Sequence, residues 1–468
     1  MVPVALFTLA ILGGRPAAVG TGSGDVNALV RTYIAEHRES RAAFLAVHAN
    51  IPSFARQTGL ACSACHTAFP HLNAFGRLFK MNGYTMTGQQ LIQAGDSGKP
   101  PSLKLNLIPP ISAMVQTSYS AINKGIAGTQ NGNAEFPQQL SLFVGGEITP
   151  KLGTFLQLTY SGNDGAIAID NAELRYADKT QLGSKELTYG LTLNNNPTSQ
   201  DVWNTVPAWR FPFASSAVAP TPGAAPLLEG AFAQQVAGLG AYAMYDGHLY
   251  AEFSAYGSAP QGGVHPLDST AANTISGVAS YWRAFYQQTW GDNTVMVGTF
   301  GMSAKLFPTG TVGMLNRYND FAIDAQFESK IGSSMFTAHG SWLRETQNLD
   351  ATFAGGESDN PTNTLKSLRL DAGILTGGRV GLTVGYFGLN GTTDATLYGE
   401  HPVSGSANGS PDSRGVIGEV SIMPWLNTRF ALQYVAYNKF NGGNTNYDGF
   451  GRNASGNNTL YVLGWVAF

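Results

Sequence analysis

A chain of 468 residues with a formal net charge of −3 presents no basic footprint for nucleic acid, and it holds no phosphate-cradling glycine loop that would point to a nucleotide. Only 12% of the residues are charged, about half the usual share, while there are 57 glycines, 25 phenylalanines, 19 tyrosines and 7 tryptophans. That balance excludes an ordinary soluble surface, and after the first dozen residues no apolar run approaches the roughly 18 residues that a spanning helix requires.

The chain opens on an apolar run, Val2 to Leu12, followed by Gly13, Gly14 and small residues from Ala17 to Gly20. Residues 1–20 resemble the core of an export signal, although the basic start of such signals is missing. An alternative cut lies near residue 49, where Arg38 and Arg41 precede the run Ala42 to Val47 and the small-residue site Val47-His48-Ala49. If the first cut is used, Val26, Leu29, Val30, Tyr33 and Ile34 belong to the mature chain at a roughly helical spacing.

Residues 50–90 carry Cys62-Ser63-Ala64-Cys65-His66, which contains both cysteines of the chain. This spacing reads as a covalent attachment site for one haem c: the two thiols bond the two vinyl groups, and the histidine that follows supplies the proximal nitrogen to the iron. The competing readings are a redox pair, which normally opens a helix after a strand in an α/β unit, and a zinc site, which wants a second ligand pair; neither context is present. Leu72, Phe75, Leu78 and Phe79 recur at helical spacing, so Phe69, Leu72, Phe75 and Phe79 are expected to form the wall of the haem. For the sixth ligand the candidates are Met81, Met86, His71 and His48, with an open position or a ligand from elsewhere in the chain as alternatives. A module of about 35 residues cannot enclose a haem by itself, so it must lean on the remainder of the chain.

Residues 103–468 supply that remainder as short segments in which apolar and polar positions alternate. Phe321, Ile323, Ala325 and Phe327 interleave with Asp320, Ala322, Asp324 and Gln326; Phe430, Leu432 and Tyr434 interleave with Arg429, Ala431 and Gln433. Period two with one apolar row suits strands that face lipid on one side and a polar lumen on the other. Sixteen such segments are centred near residues 111, 143, 156, 173, 190, 236, 251, 281, 298, 324, 337, 370, 384, 418, 431 and 463. Short connections at Thr149-Pro150-Lys151, Tyr245 to His248, Gly291 to Asn293, Ser329-Lys330, Thr376 to Gly378 and Met423-Pro424-Trp425 alternate with long ones, such as Asn194 to Glu229, Gly257 to Asn273, Arg344 to Leu365, Asn390 to Asp412 and Asn438 to Asn458. The expected fold is therefore all-β: a 16-stranded transmembrane β-barrel, porin-like, with a small N-terminal α-helical haem c segment. An even strand number puts both barrel ends on the periplasmic side. The final strand, Leu460 to Phe468, ends on a phenylalanine that resembles the terminal insertion signal of outer-membrane proteins. Glu147, Glu173, Arg175, Glu252, Asp324, Glu328, Arg369, Asp371, Glu419 and Arg429 fall on the lumen row.

The block Pro52 to Gly59, Cys62 to His66, Phe69-Pro70, Leu72-Asn73, Phe75-Gly76-Arg77 and Phe79 to Tyr84 resembles the outer-membrane monohaem cytochrome-porin fusions of the ferrous iron oxidase type. Over the barrel the resemblance is in size, strand pattern and glycine-rich loops. It implies an Fe(II):cytochrome oxidoreductase of the outer membrane, taking electrons from extracellular Fe(II) or another reductant and passing them to a periplasmic cytochrome or similar acceptor. A diffusion porin with a structural haem plug, an outward electron conduit and a redox sensor are the alternatives.

Overall fold

The computed structural model describes residues 52–67, 70–86, 91–94, 103–106, 109–162, 164–230, 232–259, 267–425 and 427–468. Both export-signal readings, His48 and Phe69 lie outside the described residues. After the helical segment, β1 (Leu91–Ala94) and β2 (Leu103–Asn106) pair with each other alone, so the barrel begins at Ile111 rather than at residue 103.

The barrel wall starts with β3 (Ile111–Ile122), β4 (Asn133–Thr149), β5 (Leu152–Ser161), β6 (Ala166–Leu182), β7 (Lys185–Asn194), β8 (Val236–Tyr245) and β9 (Leu249–Ser258). It continues, past the short β10 (Ala272–Ile275), with β11 (Ala279–Trp290), β12 (Asn293–Thr309), β13 (Asn316–Ile331), β14 (Ser334–Asn348) and β15 (Thr362–Thr376). It finishes with β16 (Val380–Gly391), β17 (Ser413–Trp425), β18 (Thr428–Lys439) and β19 (Thr459–Ala467). Every neighbour pair is antiparallel; β9 pairs directly with β11, and β10 only extends the rim beside β12. β19 pairs with β3, and Ala113 and Phe468 exchange both backbone bonds at 2.7 and 2.9 Å, which closes sixteen strands into one ring. Closure satisfies each strand's amides with a neighbour and leaves no edge, the condition for placing β structure in lipid. All sixteen segments expected from alternation fall on these strands.

Strands of 9 to 17 residues are long enough to cross a bilayer at a tilt. Their outer row is exposed and apolar: Leu239, Phe253, Val297, Ile323, Leu382, Val384 and Leu432 stand on it, and Trp290 and Trp425 are exposed at the ends of their strands, where an aromatic girdle belongs. The inner row is buried and largely polar, with Glu173, Arg175, Glu252, Arg283, Asp324, Glu328, Glu419 and Arg429. The architecture is that of an outer-membrane β-barrel.

Two turns are displaced from their expected positions. β13 runs on through Ser329 and Lys330 to Ile331 and turns at Gly332, whose φ of +61° is the conformation a tight turn demands. β17 runs through Met423 and Pro424 to Trp425 by a register shift after Ile422, a break in the ladder that accommodates a residue without an N–H. The connection expected from Arg344 shrinks to residues 349–361, because β14 and β15 stay paired as far as Asn348↔Thr362.

All tight turns lie at one end, with the start of β3 and the end of β19; the longer connections lie at the other. The connection 195–235 does not stay outside. Val206, Leu227, Leu228 and Phe232 pack on the lumen-facing Tyr256, Tyr281, Phe300 and Met302, and the backbone N–H groups of Leu227 and Leu228 donate to Glu345 and Asp320 at 2.5 and 2.9 Å. Epitope tags at Gly355 and Gly405 should therefore be reached by antibody on intact cells, and tags at Asp246, Gly291 and Gly377 only after the outer membrane is opened. The opposite labelling pattern would invert the barrel.

Candidate haem-attachment site in the barrel lumen

The segment before the barrel consists of α1 (Ser53–Thr58), a 3-10 turn at Cys62–Ala64 and α2 (Ala74–Met81). In the turn, the N–H groups of Cys65 and His66 both donate to the Cys62 carbonyl, at 3.1 and 2.9 Å, so the two thiols and the imidazole leave one tight coil. Asn73 ties this coil to α2. Its side-chain oxygen caps the helix by accepting from Gly76 N–H at 3.0 Å, its amide donates to the carbonyls of Ser63 and Ala64, and its own N–H donates to Cys65. Gly76 is the closest approach between the two parts: a Cβ there would stand 2.2 Å from the Cys65 carbonyl oxygen.

This unit sits inside the lumen, in the half nearer the tight turns. Arg77, buried, donates both Nη groups to Glu328 of β13 at 2.7 and 2.8 Å and stacks 3.7 Å over the ring of Trp203 in the inward connection. Tyr84 donates its hydroxyl to Glu173 of β6 at 2.6 Å. Lys80 donates to the Asp201 carbonyl at 2.8 Å, and Leu72 N–H donates to Asn204. On the opposite wall Ser53 and Gln57 of α1 donate to the Gly145 carbonyl of β4. The wall is thinned to admit the segment, since a Cβ on Gly153 would lie 1.9 Å from the Gly83 carbonyl oxygen. Phe54, Phe79, Tyr84 and Phe155 then form a ring cluster with centroids 5.2 to 6.3 Å apart, in contacts worth about 0.5–1.5 kcal/mol per pair beyond burial.

Against the Cys-x-x-Cys-His coil lies a cavity of about 410 Å³, within the size range of cofactor pockets. Cys65 and His66 line it from the segment, and Phe143, Phe155, Trp209 and Trp465 give it apolar faces. Lys80, Arg210 and Arg429 also line it; Lys80 donates to the Ser199 and Asp201 carbonyls, Arg210 pairs with Glu229 and Arg429 with Glu419. His66 Nδ1 lies 3.1 Å from the Pro70 carbonyl oxygen, which can only accept; the ring proton is thereby held on Nδ1, and Nε2 carries the lone pair, the arrangement that orients a metal-binding histidine. Burial pushes the His66 pKa down to about 4, so the imidazole is neutral at ordinary pH, as an iron ligand must be. Burial raises the Cys62 thiol, and burial followed by the nearby Cys62 raises Cys65 to about 12. Among the described residues no group of three or more His, Cys, Asp or Glu is gathered round one point. The residues present fit a covalently held haem.

The other expected residues separate. Leu72 and Phe79 line the cavity. Phe75 points elsewhere, packing on the cluster of Phe79, Tyr84 and Met86. Met81 is turned to the barrel wall among Trp203, Tyr242, Met244, Tyr250 and Met296, and its carbonyl accepts from Tyr242 Oη at 2.6 Å. Met86 packs with Phe79 and Tyr84. His71 is buried against a different wall, with its Nε2 at 2.9 Å from Gln326 and 3.1 Å from His339, whose Nδ1 in turn meets Asp371 at 2.5 Å. Asn73, Asn204, Trp203 and Trp209 are positioning residues that spacing alone does not reveal, because three of them lie more than a hundred residues downstream of the motif they support.

No family model matches the chain, and no curated protein matches it in sequence. Among solved structures it is similar to an anion-selective porin from Comamonas acidovorans, with 14% identity over 76% of this chain and 98% of the porin at a TM-score of 0.44. It is similar also to OmpT, an outer membrane protein of Vibrio cholerae, with 11% identity over 76% of this chain and 96% of that one at 0.42. The outer membrane channel DcaP of Acinetobacter baumannii gives 11% identity over 76% and 96% at 0.42. The strand pairings, not these likenesses, establish the barrel.

Arg77→Ala would leave the Glu328 carboxylate buried without its bidentate partner, a loss of about 3–5 kcal/mol. The variant should insert and keep heat-modifiable migration, while its first 90 residues become susceptible to protease in detergent. Unchanged protection would show that the docking does not depend on this pair.

Proposed function

We propose that the chain is an outer-membrane electron-transfer protein carrying one haem c, bonded to Cys62 and Cys65 with His66 as proximal ligand. It takes electrons from an extracellular reductant, Fe(II) foremost, and passes them to a periplasmic carrier. The observation that carries this reading is the Cys-x-x-Cys-His coil opening onto an aromatic and cationic cavity inside a transmembrane barrel. Bound there, the haem would supply one-electron chemistry, matched to Fe(II) oxidation, which yields one electron per ion.

The protein's own residues do the rest. The Pro70 carbonyl fixes the His66 tautomer and ring orientation. Phe79, Phe143, Phe155 and Trp209 exclude water, which disfavours the more highly charged ferric state and raises the potential. Propionate carboxylates would share Arg210 and Arg429, which line the cavity, with Glu229 and Glu419. Iron oxidised at the outer face stays outside, whereas the electron reaches the other side through the protein.

A second reading is a diffusion channel, favoured by the polar lumen of a closed barrel of this size. Against it stands the seating of both the N-terminal segment and connection 195–235 within the lumen. The two readings part in one experiment. Purified protein should show its haem α-band within the mixing time after anaerobic addition of Fe(II), with Mn(II), sulfide and a reduced quinol analogue as comparisons, and should carry little current in a planar bilayer. Large steady conductance with a haem inert to every donor would favour the channel. The double variant Cys62→Ser with Cys65→Ser should lose haem staining after denaturing electrophoresis yet still insert; retained stain would end the attachment reading.

A further inference from the structure

We infer that Met114, on the first barrel strand, supplies the sixth ligand of the haem iron through its thioether sulfur. The inference rests on the haem reading above and goes beyond it, because it makes the barrel part of the coordination sphere and not only a housing.

A sixth ligand has to share the cavity with His66. Among the described residues that line it, His66 is the imidazole and Met114 the thioether. Met81 and His71 lie against other parts of the barrel, and Met86 packs on Phe79 and Tyr84, which stand between it and the cavity they line. Lys80 and Tyr84 also line the cavity, but Lys80 is spent on the carbonyls of Ser199 and Asp201 and Tyr84 on Glu173.

Met114 is also unusual in its setting. The lumen row of β3 reads Ser112, Met114, Gln116, Ser118, Ser120 and Ile122, so the thioether stands between two polar residues of its own strand, buried to 5% exposure and packed with Tyr461, Leu463 and Trp465 of β19. Its cross-strand partners are Ala467 on β19 and Ser141 on β4. Directly opposed side chains share a face, and two small neighbours leave the thioether room to extend into the lumen. Gln116 Nε2 donates to Met114 Sδ at 3.7 Å. Sulfur has a second lone pair for a metal, and an outer hydrogen bond of this kind orients a ligand atom. A thioether opposite histidine raises the potential of a haem relative to two histidines, which suits an acceptor of electrons from Fe(II).

The test uses full-length haem-loaded protein in detergent. Ferric wild type should be six-coordinate and low-spin, with the weak red charge-transfer band given by thioether sulfur on iron. Met114→Leu conserves volume and should keep the fold; it should lose that band, turn high-spin and show a lower potential. Met114→His should give a two-histidine spectrum, while Met81→Leu and Met86→Leu keep the wild-type band. Heat-modifiable migration confirms folding of each variant. A band that survives in Met114→Leu, or a haem-stained wild type lacking the band, overturns Met114 alone and leaves the haem reading intact; a wild type without haem stain overturns both.

Discussion

A large flat cofactor needs more interior than a few dozen residues can provide, and this constraint shapes the whole molecule. Two short helices and a tight coil offer Cys65 and His66 on one side of the cavity, but the other sides belong to the barrel and to its inward connection. Phe143 comes from β4, Phe155 from β5, Trp465 from β19 and Trp209 from the connection. The N-terminal segment and the barrel are therefore one folding unit in the physical sense: neither encloses the cavity without the other.

A polar lumen is an awkward place for an apolar cavity, and the contacts around it show how the conflict is resolved. Charges in the wall are matched rather than removed. Arg77 meets Glu328, Tyr84 meets Glu173, and Arg283 is held between Asp201 and Asp324 at 2.6 and 2.8 Å. Arg77, Arg175 and Arg283 each meet a carboxylate, which matters where an unpaired buried charge would cost several kcal/mol. These pairs are directional, so they fix the segment's orientation, while Phe54, Phe79, Tyr84 and Phe155 supply contact area that is less particular about angle. Gly153 and Gly76 complete the fit by letting backbone meet backbone.

Period-two alternation made the strands legible, because lipid outside and charge inside give each strand two unlike rows; Phe321 and Ile323 against Asp320 and Asp324 is the clearest instance. The turns at Ser329-Lys330 and Met423-Pro424-Trp425 were misplaced because Gly332 and a ladder irregularity, not polar residues as such, set the ends of those strands. The spacing of Cys62, Cys65 and His66 gives the haem proposal, and the shortness of the segment gives its need for burial by the rest of the chain. Which side chains face the cavity could not be read from spacing. A helical stripe holding Leu72, Phe75 and Phe79 does not say which flank meets the barrel, and Phe75 turns away from the cavity. Met81 sits near the motif in sequence and faces the wall in space, whereas Met114 belongs to a strand whose partners, Ala467 and Ser141, are fixed only by barrel closure.

On the proposed function, the placement also sets the path of an electron. The cavity lies in the half of the lumen next to the tight turns, beneath connection 195–235, whose Trp203 and Trp209 stand beside it. A haem on Cys62 and Cys65 would be seated within the barrel, and the position of its iron measures that. Anomalous diffraction at the iron edge from crystals of the haem-loaded protein should place a single peak inside the ring of strands, at His66 Nε2 and facing β3. A peak outside the barrel wall, or beyond the turn end on a separately folded segment, would contradict the account.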